Sequence, residues 1–178
     1  MSERREISLD GKVEWRMKKQ RSAEKLTAGT WIGVKLSERK VVPALVARYC
    51  GESGTMLLYV FPPGKIGRIA LEDCVGGSRD DALTAIYVCD NEVSDGVWPI
   101  LGLAKGFSTS KWPIPWFMQQ DPITDALRKV KPSEESPVLI AERVKVAKRD
   151  DSLEEYGMHS SSSAVMRINE VLKRRTTK

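Results

Sequence analysis

The chain has a single histidine, His159, and only three cysteines, Cys50, Cys74 and Cys89, among its 178 residues. That scarcity excludes several chemistries. A lone histidine between Met158 and Ser160, with no cysteine beside it, reads as a capping or solvated loop residue rather than a general base. An odd number of widely spaced cysteines, each in or beside an apolar strand-like segment, reads as buried reduced thiols and not as a disulfide framework. No Cys/His set has zinc-ligand spacing. There is no Gly-x-Ser-x-Gly elbow, no Gly-x-Gly-x-x-Gly run and no phosphate loop ending in Lys-Ser/Thr. No apolar run reaches transmembrane length, and Met1-Ser2-Glu3-Arg4-Arg5-Glu6 is too polar to open a signal peptide. The expectation is a cytoplasmic protein with no enzyme activity, metal or cofactor, and no membrane partner.

Charge of one sign is also missing where nucleic-acid binding would need it. The net charge is +5. Residues 1–25 and 165–178 together carry +7, which leaves −2 for the 139 residues between them. A nucleic-acid groove needs cations clustered on a folded surface. Basic tails on a small β-barrel remain the alternative reading; a hydrolase resting on scattered carboxylates ranks below it.

What is present is a succession of short apolar strands. Residues 1–25 form a charged N-terminal arm, in which a helix over Glu14–Lys25 would have a thin apolar face; residues 26–175 form one domain, and 176–178 a tail. Strands are expected over Trp31–Leu36, Val41–Tyr49, Thr55–Phe61, Ile66–Leu71, Ala82–Val88 and Val138–Val146. Pro43 marks an edge or a bulge in the second, Gly51-Glu52-Ser53-Gly54 is a hairpin turn, and the almost continuously apolar third strand is central and covered on both faces. Short connections without crossover helices favour a mainly β fold: a small antiparallel curved sheet or partly open barrel, with a β-sandwich as runner-up. The serines 160–163 offer a cap for a final helix, whose stripe of Val165, Ile168 and Leu172, with Val171 beside it, packs on the sheet. Lys173, Arg174 and Arg175 end that helix where its dipole favours cations.

Two Trp-Pro dipeptides, Trp98-Pro99 and Trp112-Pro113, fall within fifteen residues of each other in a chain with five tryptophans. Each joins a large amphipathic ring to a backbone that cannot donate a ladder hydrogen bond, which predicts rigid extended edges pinned by aromatic burial. Trp112, Trp116 and Phe117 read first as core pins and second as an exposed contact surface. Glu72, Asp73, Asp80 and Asp81 flank one loop, and the functional reading makes them an acidic patch for a basic partner, extended by Asp90, Glu92 and Asp95. The plainer reading of these pairs, and of Asp150-Asp151 and Glu154-Glu155, is solvated loop charge.

The order of these features resembles the immunity protein 26 family of bacterial polymorphic toxin systems. The resemblance is carried by Leu26–Leu36 around Gly29 and Trp31, by Asp95–Gly102 with Trp98, Pro99 and Gly102, by Ser110–Phe117 with Trp112, Pro113 and Pro115, and by Tyr156-Gly157-Met158 before the last helix. It covers roughly residues 26–175. It implies a mainly β antidote, without catalysis, that captures a cognate toxin stoichiometrically and occludes it. For a nuclease toxin with a basic surface, the expected contacts are Glu72, Asp73, Asp80, Asp81 and Trp116. The Gly, Trp and Pro positions of the motifs read as structural.

Overall fold

The structure is a computed structural model that describes residues 26–38, 40–63 and 78–176. The expected strand at Ile66–Leu71, the charged arm, Glu72, Asp73 and Cys74 lie outside the described residues. The first four strands are β1 (Thr30–Ser37), β2 (Lys40–Cys50), β3 (Thr55–Val60) and β4 (Thr84–Cys89). Together with β5 (Ile100–Leu103) and the two-residue β9 (Met158–His159) they make one sheet in the order β5-β1-β2-β3-β4-β9. Its pairings are antiparallel except β4 with β9, which is parallel, and the ends do not meet. The sheet is therefore open. A second, three-stranded antiparallel sheet holds β6 (Phe117–Gln120), β7 (Leu127–Pro132) and β8 (Ile140–Lys145) in that order.

The period-2 alternation of the strands sends successive side chains into two separate cores. On one face Ile32, Val34, Val42, Met56, Leu58, Ile86, Val88 and Trp98 meet Ala164 and Ile168 of the C-terminal helix α2 (Ser161–Thr176). On the other, Trp31, Leu45, Leu57, Tyr59, Phe61 and Tyr87 meet Trp112, Ile114, Phe117 and Val130 from the second sheet and the segment before it. The molecule is thus three layers deep, which explains why every residue of β3 is buried. Each fully covered Leu or Met there stabilises the fold by roughly 1.5–3 kcal/mol.

The final helix forms where its stripe predicts it. Ser160 Oγ accepts the Ser163 N–H at 3.3 Å, Val165 and Leu172 flank the buried Ala164 and Ile168, and Arg175 donates to the Ala82 carbonyl at 3.1 Å. Among the described residues no helix is long and apolar enough to cross a membrane.

Three local expectations are corrected. Pro43 lies in an interior strand, opposite Gly33 of β1, and the register shift of β2 falls further on, between Val46 and Arg48. The proline is tolerated because β3 ends beside it. The Phe61 N–H donates to the Pro43 carbonyl at 2.9 Å, and the return bond that would need a Pro43 N–H lies past the last residue of β3. Cys50 and Cys89 are free thiols but only half-buried, because they are the last residues of β2 and β4, at the rim of the sheet. His159 is not in a loop: it pairs with Val88 in β9.

The first Trp-Pro element behaves as an edge. Trp98 is fully buried against the helix-side core, the Pro99 carbonyl accepts the Gly33 N–H at 2.9 Å, and among the described residues β5 pairs only with β1. Gly102 has φ +140° beside the register shift that lets β5 follow the twist of β1, a backbone conformation that side chains rarely adopt. A short helix unseen in the sequence, α1 (Asn91–Ser94), carries the chain from β4 to this edge.

Candidate partner-docking cleft

The second Trp-Pro element builds the site. A single 3-10 turn, Thr109–Lys111, delivers Trp112 into the core, where its ring meets Tyr59 edge-on at 5.3 Å and Phe61 at 5.9 Å between centroids. Pro113 and Pro115 then hold the chain extended without ladder bonds of their own. The Tyr59 hydroxyl donates to the Pro113 carbonyl. Arg48, redirected by the bulge in β2, donates to the Ala47 and Trp112 carbonyls at 2.8 and 2.9 Å and forks onto the Glu134 carboxylate. Those hydrogen bonds hold the Glu134 carboxyl below its ordinary pKa. One guanidinium therefore ties β2, the Pro-rich segment and the β7–β8 connection together.

Between this segment and the start of β4 lies an open cleft of about 410 Å³. Its floor is Tyr59 and Ile114, both buried. Pro113, Pro115 and the half-buried Trp116 form one wall, and Arg79, Asp80 and Lys131 supply the charges. Phe117 pairs with Val130 and Lys131 with Glu142, so carrying the β6–β7 register one residue further sets Trp116, Lys131 and Glu142 in one row across the small sheet. Lys131 Nζ is 3.3 Å from Glu142 and Arg79 Nε is 3.2 Å from Asp80. Of the four described tryptophans, Trp31, Trp98 and Trp112 are buried; Trp116 alone is not.

The residues singled out in the sequence divide accordingly. Asp80, Pro113, Pro115 and Trp116 converge on the cleft. Of the three residues read first as core pins, Trp112 and Phe117 are so, in one core with Trp31, whereas Trp116 is only half-buried; Trp98, Pro99 and Gly102 belong to the β5 edge. Asp81 is engaged locally. It accepts from the Ser78 backbone N–H at 2.8 Å and the Ser78 hydroxyl at 2.9 Å, which caps the 3-10 turn Arg79–Asp81 and lowers the Asp81 carboxyl pKa.

Asp90 does not extend the acidic loop. It sits past the other end of β4, roughly 20 Å along the strand. There it accepts from the Tyr49 hydroxyl at 2.7 Å, which pushes the Tyr49 pKa up to about 12, and its carboxylate fills the space a Cβ at Gly54 (φ +59°) would take. Glu92 and Asp95 lie at that same end, within and just after α1. Asp150, Asp151, Glu154 and Glu155 are ion-paired with Lys129, Arg149 and Arg167. Tyr59, Arg79 and Lys131 carried no signal in the sequence: Tyr59 stands inside an apolar run, and the two cations stand among many.

His159 is half-buried near the Glu154–Arg167 ion pair, and burial lowers its pKa from 6.5, against the opposing pull of Glu154. Because the folded-state value is depressed, the unfolded chain takes the proton first. Stability from the neutral ring is complete above pH 6.5 and is lost as pH falls below it. A proton-NMR titration of this sole imidazole is expected to give a midpoint below 6.5, and His159→Gln to flatten that part of the acid limb. A midpoint at or above 6.5 would count against the burial.

Among the described residues no three His, Cys, Asp or Glu side chains gather at metal-ligand spacing. What the cleft offers is a Trp, a Tyr and an Arg around an apolar floor, the side chains that dominate protein–protein hot spots. No family model, curated protein or solved structure matches the chain.

Proposed function

We propose that this protein is an immunity factor that neutralises a cognate toxin in the cytoplasm of the producing cell by stoichiometric binding, and that it makes and breaks no covalent bonds. The observation that carries the reading is the Trp116 cleft: the one described tryptophan left outside the cores stands in a groove with Tyr59 and Arg79. Such a groove suits an anchor residue of a partner, and a few anchors, more than area, decide affinity in an interface of roughly 1,600 Å². The Trp-Pro elements that resemble the immunity protein 26 family build both this groove and the opposite sheet edge, which agrees with a scaffold role for those motifs.

The nucleic-acid alternative gains little from the small sheet. Arg128, Lys129 and Lys131 make β7 basic, but strand alternation divides them between two faces and each is ion-paired, with Asp121, Asp150 and Glu142 in turn. Co-expression tests the proposal. Cells producing the proposed cognate toxin domain are expected to grow only when the chain is present. Arrest regardless of its presence would refute the proposal.

A further inference from the structure

We infer that the partner adds an extended segment to the open edge of β8 and so continues the small sheet by one strand, an inference that rests on the immunity reading. The β6 edge of that sheet is already covered: the Met118 N–H donates to the Glu154 carbonyl at 2.7 Å, and the Met118 carbonyl accepts the Tyr156 N–H at 2.6 Å. Among the described residues β8 pairs only with β7. Val146, just past β8, donates to the Leu127 carbonyl at 3.0 Å, and Val144 and Glu142 stand opposite Lys129 and Lys131. By alternation those three residues turn their backbone groups toward β7, while Arg143 and Lys145 turn theirs away. Among the described residues no backbone hydrogen bond reaches Arg143 or Lys145 from that side, and Ala141 to Lys145 are all exposed. The edges of the large sheet are shorter templates: β5 has four residues and a register shift, β9 has two.

Side chains decide which strand fits. Arg143 and Lys145 lie on the face that Val130 turns to the core, and among the described residues neither is in an ion pair. Glu142, the one carboxylate of β8, is on the opposite face and engaged by Lys131, with the exposed Val144 next on that face. A strand with an acid opposite each free cation and an apolar residue opposite Val144 gains side-chain pairs on both faces besides its main-chain bonds. A second copy of the chain does not fit. Pairing β8 with itself about a two-fold axis keeps every residue on its own face, so opposed residues differ by an even number. The registers centred between Glu142 and Lys145 then set Glu142 against Glu142, Arg143 against Arg143, Arg143 against Lys145, or Lys145 against Lys145. Trp116, Lys131 and Glu142 form one row, so a strand beyond β8 stands roughly 15 Å from the cleft, close enough for one partner to occupy both.

The test titrates the full isotope-labelled chain at fixed ionic strength and reads the Arg143 and Lys145 amide resonances and their hydrogen exchange. The probes are acetyl-Thr-Glu-Val-Glu-Thr-amide, the same peptide with Lys for both Glu, the Glu peptide N-methylated at both Glu residues, and a short single-stranded DNA. In the free chain both amides are expected to exchange fast. The Glu peptide is expected to bind weakly but saturably and to slow them, and the Lys and N-methyl peptides to bind at least about tenfold more weakly. Arg143→Glu with Lys145→Glu is expected to reverse the preference between the Glu and Lys peptides, with folding retained because both side chains are exposed. Equal binding of the N-methyl or Lys peptide would overturn the inference, as would a DNA response matching that of the Glu peptide. So would no saturable response, or amides already protected in the free chain by its own residues or a second copy. No toxin is present in this titration, so such a failure alongside intact rescue in co-expression would remove the β8 site and leave the immunity reading standing.

Discussion

Trp112→Ala is expected to lower the unfolding free energy by about 3–5 kcal/mol, the range for deleting a buried tryptophan from a packed core. The ring is 8% exposed and meets Tyr59 and Phe61, and Phe61 in turn meets Trp31 at 5.2 Å. Its loss opens a cavity between the two sheets and loosens the segment through Pro115, which keeps the buried Ile114, the Tyr59 bond to Pro113 and the Arg48 bond to the Trp112 carbonyl. Denaturant titration checks the magnitude. A change below about 1 kcal/mol would mean that the small sheet does not depend on this ring for its place on the large one.

Trp116→Ala, four residues on, is expected to do the opposite. Its side chain borders open space, so stability should fall by no more than about 1 kcal/mol, within the range of surface substitutions and small packing losses. Toxin binding should weaken by at least about 30-fold, the loss of roughly 2 kcal/mol that defines a hot spot. The comparison separates scaffold from contact within one short motif. Binding unchanged in Trp116→Ala would move the interface away from this cleft, whatever the stability result.

Local signals carried much of the fold. The hairpin at Gly51–Gly54, the continuous apolar run of β3, the serine-capped helix with its Ile168 stripe and the two Trp-Pro elements all express constraints that act over a few residues. The layering was less legible. Strand β7, Leu127–Pro132, carries Arg128, Lys129 and Lys131 and looks solvated, yet the buried Val130 and Pro132 seat it while neighbouring carboxylates pair with its cations. Strand β9 has two residues and no pattern of its own; its pairing with β4 depends on the chain having already crossed the sheet. Pro43 misled because a proline's tolerance depends on where the neighbouring strand stops, and that is fixed across the ladder, not along the chain.

The cleft was half legible for a similar reason. Pro113, Pro115 and Trp116 announce themselves as a motif, but Tyr59, Arg79 and Lys131 reach it from three distant parts of the sequence. Only strand order brings them together. The acidic reading of Asp80 and Asp81 rested on adjacency in sequence, whereas one of the two turns back to cap its own turn.

Calorimetric titration of the purified chain into the cognate toxin domain that the proposal calls for addresses the central claim most directly. The account predicts saturation at one to one, with loss of toxin activity tracking occupancy. Absence of binding, or inhibition at far less than one equivalent with the toxin chemically altered, would contradict it.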